Sequence, residues 1–157
     1  MLSPRYWHPG LLKLVMNCYP PYLGTGISIV EVAPDWRRMV VQMKRRAYNR
    51  NMFGTHFGGS LYAMCDPHFV ILLAALLGPE YEMWDKAATI EFLRPGRGVV
   101  TAVFEWNDAQ LDEIRAGTAH GKKVEPVRTV DVMGEDGEHI ARVHKTLYIR
   151  PKRRHHR

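Results

Sequence analysis

The sequence predicts an α+β domain in which a curved antiparallel sheet of about six strands wraps around one long central helix. Three observations lead there. The segment Phe69 to Leu77 is apolar nearly all round, so as a helix it must be covered on most sides. Stretches of alternating apolar and polar residues flank it, two before and four after, and a period of two belongs to half-buried strands. Connections rich in Pro and Gly, or carrying Asp-Gly, join the later stretches as hairpins require.

Taken in order, Trp7, Leu11, Leu12, Leu14 and Val15 predict a short helix over about residues 7–19, closed by Pro20 and Pro21. Ile27–Val32 and Met39–Met43 read as strands, with Pro34-Asp35 marking the turn between them. In the second, Met39, Val41 and Met43 alternate with Val40, Gln42 and Lys44. Beyond the helix, Ala88, Ile90 and Phe92 share one face of Ala87–Leu93. Val100, Ala102, Phe104 and Trp106 do so in Val99–Trp106, and RPGRG (Arg94 to Gly98) joins the two as a hairpin. Past Asn107, Leu111 and Ile114 mark a short amphipathic segment. Val124–Met133 and His139–Ile149 form a last pair across GEDG, with Ala141, Val143, Leu147 and Ile149 on one side. No repeat or linker divides the chain, so a single domain over residues 1–157 is expected, ending in a basic tail at 151–157.

Composition narrows the function classes. A chain of 157 residues with 46 % apolar content can bury a core without disulfides or metals. Cys18 and Cys65 lie outside any CxxC spacing and no zinc pattern occurs, which points to reduced thiols in a cytoplasmic protein with no metal. The N-terminus carries no secretory signal, because its apolar run from Leu11 to Met16 is short and holds Lys13. Leu61–Leu77 is nearly long enough to span a bilayer, yet Asp66, Pro67 and His68 lie within it. A buried helix is the better reading than a membrane span. The formal charge of +6 suggests nucleic acid at first sight. Four of the 22 basic residues, however, are Lys152, Arg153, Arg154 and Arg157, and the remaining 18 stand against 16 acidic ones. The basicity is a tail, and no RNA-recognition or helix-turn-helix signature accompanies it, so nucleic acid is disfavoured as a partner.

The segment NMFGTHFGGSLYAMCD (residues 51–66) then poses a question, since an aspartate followed by a proline interrupts a helix that should be buried. It resembles the N-x-x-G-T-x-H-G-G-(x)6-D signature of hotdog-fold acyl-CoA thioesterases of the phenylacetyl-CoA type. Asn51, Gly54, Thr55, Gly58, Gly59 and Asp66 fall in register. IEFLRPGRGVVTAVFEW (residues 90–106) is similar to the strand pair that follows in that family. The phrasing GTHFGGSLYAMCDP, with WDKAA further on, is most similar to an uncharacterised branch of the superfamily that carries a domain of unknown function. One position departs: the family's histidine before the paired glycines is Phe57 here, and a histidine stands one place earlier, at His56. A one-residue shift in an extended stretch turns a side chain to the opposite face. His56 therefore does not simply inherit that role, and a loop histidine bonded to backbone is the alternative.

The chemistry of thioester hydrolysis gives these residue types their meaning. A helix starting at Gly58-Gly59 offers unpaired N–H groups to an oxyanion, and glycine lets a carbonyl oxygen come close; a tight turn into a packed helix is the alternative. Asp66 should lie on the helix side of Gly59 and Tyr62, and burial beside Met64, Cys65 and Phe69 should raise its pKa, as suits a general base. Alternatively Asp66 caps a second helix starting at Pro67, which in either case should kink the helix there. Asn51 would orient water or substrate, or else is a turn asparagine. Cys65 has no basic partner in sequence, and Met16, Met39, Met43 and Met64 are core candidates.

The resemblance implies a thioesterase acting on acyl-CoA or an acyl-carrier protein, with Asp66 as base or nucleophile and Asn51, His56, Gly58 and Gly59 in the catalytic neighbourhood. Thr55, Phe57, Tyr62, Arg94 and Arg97 are the substrate-binding candidates, the arginines for the phosphates of coenzyme A. It implies no cofactor beyond the coenzyme A of the substrate. It also implies a homodimer or tetramer, with the Gly58 end of one subunit facing Asp66 of the other. A protein that binds acyl-CoA or an acyl-carrier protein without turnover is the competing expectation, favoured by the displaced histidine.

Overall fold

The computed structural model describes residues 8–152. Helix α1 (Pro9–Asn17) opens with the His8 imidazole accepting from the Gly10 amide at 3.1 Å. Pro20 and Pro21 do end α1, but they also begin a second helix, α2 (Pro20–Thr25), because proline fits a first turn whose amides need no helical partner. Trp7, assigned from sequence to the first helix, and residues 153–157 of the basic tail lie outside the described residues.

Six antiparallel strands follow: β1 (Ile27–Val32), β2 (Arg38–Lys44), β3 (Tyr81–Phe92), β4 (Val99–Glu105), β5 (Val127–Gly134) and β6 (His139–Pro151). Their spatial order is β1-β2-β4-β5-β6-β3, so β1 and β3 are the edges. The inward rows carry the core: Met39, Val41 and Met43 on β2, and Val100, Ala102 and Phe104 on β4, are fully buried. Against them lies α4 (His68–Leu77), with Leu72 and Leu73 completely enclosed. Trp106, expected at the end of β4, falls one residue past it; its indole N–H donates to the Phe69 carbonyl at 3.1 Å and ties the sheet to the helix. The amphipathic segment is α5 (Asp108–Gly117), with a capping box between Asn107 and Gln110 and with Leu111 and Ile114 buried.

Two boundaries moved. Strand β3 starts at Tyr81, six residues before its expected start, because Glu82 and Asp85 interrupt the apolar alternation yet are paired across β6. Strand β5 starts at Val127, since Pro126 has no amide for the ladder, and Val124 makes only an isolated bridge to Ile149.

The central helical stretch, Gly58 to Leu77, is broken into α3 (Gly58–Ala63) and α4. Between them the chain tightens: Cys65 N–H donates to the Tyr62 carbonyl and Asp66 N–H to that of Ala63. The Asp66–Pro67 bond is cis. The interruption expected at proline is therefore present, but two details differ. Pro67 itself occupies the cap position of α4, without a side-chain capping bond, so Asp66 is not the cap. Helical spacing also stops at Ala63, so it does not set the direction of Asp66.

Candidate active site

The Asp66 side chain points at Lys145 of β6, whose Nζ stands 2.6 Å from Asp66 Oδ1 and 3.0 Å from Oδ2 of Asp85 on β3. Lys145 is 1 % exposed, while the side chains of Asp85 and Asp66 are 16 % and 43 % exposed. Its ammonium also lies 5.4 Å from the centre of the Tyr62 ring. A lysine so enclosed would lose its proton to desolvation if it stood alone; the two carboxylates outweigh burial and hold it charged. Burial likewise pushes Asp66 up, but the bond and charge of Lys145 prevail, and its pKa falls below the ordinary carboxylate value. That reverses the raised value expected from sequence. The raised carboxyl is Asp85, pushed up to about 6 chiefly by burial, with Asp66 beside it opposing the relief that Lys145 brings.

The backbone at Asp66 is held from α2. Tyr22 Oη donates to the Asp66 carbonyl at 2.8 Å and lies 3.1 Å from Nε2 of the wholly buried His68. A hydroxyl has one proton to give, so His68 must carry its own on Nε2 and donate to Tyr22. Burial lowers its pKa to about 3, so the ring is neutral. Cys65 is fully buried and burial pushes its thiol up to about 12, which leaves it protonated.

The glycine-rich stretch forms a separate place. Asn51 spends its amide on its own loop: Nδ2 donates to Thr55 Oγ1 (2.8 Å) and the His56 carbonyl (3.2 Å), and Oδ1 accepts from the amides of Phe53 and Thr55. This is the turn-asparagine arrangement. His56 is 2 % exposed beneath the Arg94–Gly98 turn, with Nε2 at 3.2 Å from the Gly98 carbonyl and a pKa lowered by burial. Phe57, 57 % exposed, is the cap residue of α3, and the first amide returning to it is that of Ser60. Among the described residues the N–H groups of Gly58 and Gly59 have no backbone acceptor. A pocket of about 410 Å³ opens here, lined by Asn51, Thr55, His56, Gly58, Leu61, Phe92 and Arg94 among others. Arg94 is also paired with Glu138 at 2.8 Å, and Arg97 lines a neighbouring cleft. Neither Asp66 nor Tyr62 lines the pocket, although Leu61 beside Tyr62 does; Asp66 and Tyr62 meet instead at Lys145.

Residues 10–149 match the family described as Domain of unknown function (DUF4442). The chain belongs to the DUF4442 family. No curated protein matches it. Among solved structures, this DUF4442 protein is similar to a Pseudomonas aeruginosa protein of unknown function described as a probable thioesterase, at 17 % identity and a TM-score of 0.74, covering 91 % of this chain and 95 % of that one. A Haemophilus influenzae thioesterase gives 18 % identity and a TM-score of 0.69 over 99 % of this chain and 100 % of that one. A Chlorobaculum tepidum protein of unknown function gives 14 % and 0.72, over 92 % and 98 %. At such identities the likeness establishes the fold, a hotdog domain.

Sequence reasoning missed Lys145 and Asp85. The signal was present in β6, where Ala141, Val143, Leu147 and Ile149 leave one inward position, residue 145, for a lysine. A cation in a core-facing row has to meet an anion. No comparable signal marked Asp85, because its inward direction depends on a bulge in β3.

Proposed function

We propose that this DUF4442 protein hydrolyses acyl thioesters, carried on coenzyme A or an acyl-carrier protein, to the free acid and thiol. One observation carries the reading: Asp66, at the family's carboxylate position, is held ionised by a buried lysine and keeps an exposed face in an otherwise apolar helix break. Asp66 takes a proton from water as the water oxygen bonds to the thioester carbonyl carbon. The carbon–sulfur bond then breaks, and the same proton passes to the departing thiolate. The free N–H groups at Gly58 and Gly59 suit the oxyanion, and the pocket beside them suits the acyl group. Asn51 and Thr55 shape that pocket through their loop bonds, and Arg97 suits a phosphate of coenzyme A.

Asp66 does not line the pocket, which supports a working site that takes Gly58 from one subunit and Asp66 from another. The edge of β3, unpaired among the described residues, supports such pairing, as do the exposed Met52, Phe53, Phe57, Phe92 and Leu93. The test is a panel of acyl thioesters with free-thiol detection, run on wild type and Asp66→Asn. Turnover should fall at least about 10²-fold in the variant while its melting temperature stays near that of wild type. Near wild-type turnover would remove Asp66 from the chemistry. Phe57 in the family's histidine position favours a second reading, binding without turnover; it would appear as calorimetric binding of acyl-CoA with no thiol released.

A further inference from the structure

Lys145 sits where a strand in this fold places aliphatic side chains, and it brings together α3, β3 and β6. We propose that Lys145 is a positioning residue that pins Asp66 by Oδ1 and leaves Oδ2 as the one oxygen presented to substrate, with Asp85 anchoring the lysine from the enclosed side. This rests on the thioesterase reading of Asp66.

An ammonium has three N–H bonds, and each has a destination here: Asp66 Oδ1, Asp85 Oδ2 and the face of Tyr62. Its head is therefore fixed rather than free to swing. The two carboxylates are not equivalent. Asp85 is the more enclosed, and among the described residues its Oδ1 is buried without a hydrogen-bond partner, whereas Asp66 retains the larger exposed surface. Asp85 is thus the anchor and Asp66 the working end.

Strand geometry shows that the anchor is built in. Along β3, Ala88 faces Lys145 and Ile90 faces Val143, so strict alternation would turn Asp85 to the outer face. The register shifts between Asp85 and Ala87, and this bulge returns Asp85 to the inner face opposite Leu147. Lys86, the extra residue, points outward to Glu125 at 2.6 Å.

The other titratable groups near Asp66 do not compete. His68 on α4 is neutral, Tyr22 on α2 is protonated with its pKa raised by burial, the Cys65 thiol is protonated, and Tyr62 of α3 faces the lysine through its ring. Lys145 is the cation in direct contact with Asp66 and, with the bond from Asp85, favours its carboxylate form.

The experiment compares wild type, Lys145→Met and Asp85→Asn in two measurements on the full-length protein. One is the pH profile of kcat/KM on the best thioester; the other is carboxyl carbon-13 NMR titration of Asp66 without substrate. Lys145→Met should move the acid limb and the Asp66 titration upward by one pH unit or more. It should also lower kcat by about 10²-fold with KM within about twofold. Asp85→Asn removes the anchor of the lysine and the Asp85 bond that also lowers Asp66, and should move both upward by less than Lys145→Met does. An unmoved Asp66 titration in Lys145→Met, or a downward shift in Asp85→Asn, would overturn the proposal. If Lys145→Met does not fold, the direction in Asp85→Asn decides alone. An enzyme that hydrolyses no thioester, but whose Asp66 titration moves as described, would sink the function while leaving the lysine's hold on the carboxylate established.

Discussion

His68 illustrates how a single buried ring ties this fold to pH. Its pKa is lowered from 6.5 to about 3 by burial, so the native state keeps it neutral while an unfolded chain would protonate it. The sign follows directly: its contribution to stability is complete above pH 6.5 and is lost as pH falls toward 3. Within that window the slope from this residue approaches about 1.4 kcal/mol per pH unit. Urea midpoints at neutral and mildly acid pH should show the wild type losing stability faster than His68→Phe by one proton's worth. Equal slopes would mean the ring is not kept neutral. Asp66, its pKa lowered from 3.8, adds a loss only below that pH, whereas Asp85 opposes the loss between about 6 and 3.8, since a raised carboxyl favours the fold as pH falls.

At the scale of elements, the short helix α2 has more influence on the candidate site than its length suggests. Tyr22 Oη bridges the Asp66 carbonyl and His68 across the break between α3 and α4. Tyr22→Phe leaves a buried carbonyl and a buried N–H without partners, a cost of about 1–3 kcal/mol. Its expected outcome is a lower melting temperature together with a lower kcat at nearly unchanged KM. Unaltered kcat in a folded variant would separate α2 from the placement of Asp66. Nothing in the sequence revealed this link, because Tyr22 and His68 lie 46 residues apart and neither belongs to the motif. What was legible were the features set by local periodicity: the inward rows of β2, β4 and β6, the proline interruption, and the order of the elements. Asp66 could be found from its motif, but not its charge state, because Lys145 and Asp85 come from strands distant in sequence. Asn51 shows the opposite case: the motif suggested chemistry, whereas its amide is spent on holding the loop.

For the whole molecule, the question is how Asp66 and the pocket near Gly58 come to act on one substrate. Strand β3, 12 residues long and among the described residues bonded only to β6, offers an edge along which a second copy can continue the sheet. Light scattering coupled to gel filtration should therefore give at least twice the chain mass of 18.1 kDa. In Gly58→Val an added side chain would meet the Phe92 ring, since even a Cβ comes within 3.0 Å of it, and the pocket should close. Mixing that inactive protein with inactive Asp66→Asn, under conditions that exchange subunits, should restore part of the activity. One site of each mixed pair then carries neither lesion. Proven exchange without recovery would mean that each site is built within one chain. A site shared between two copies, as proposed, would also have a consequence for inheritance. In a cell holding two differently damaged copies of the gene, one broken near Gly58 and the other at Asp66, each product would supply what the other lacks. Two copies broken on the same side would not, so crosses between defective strains would sort lesions into two groups, one for each half of the site.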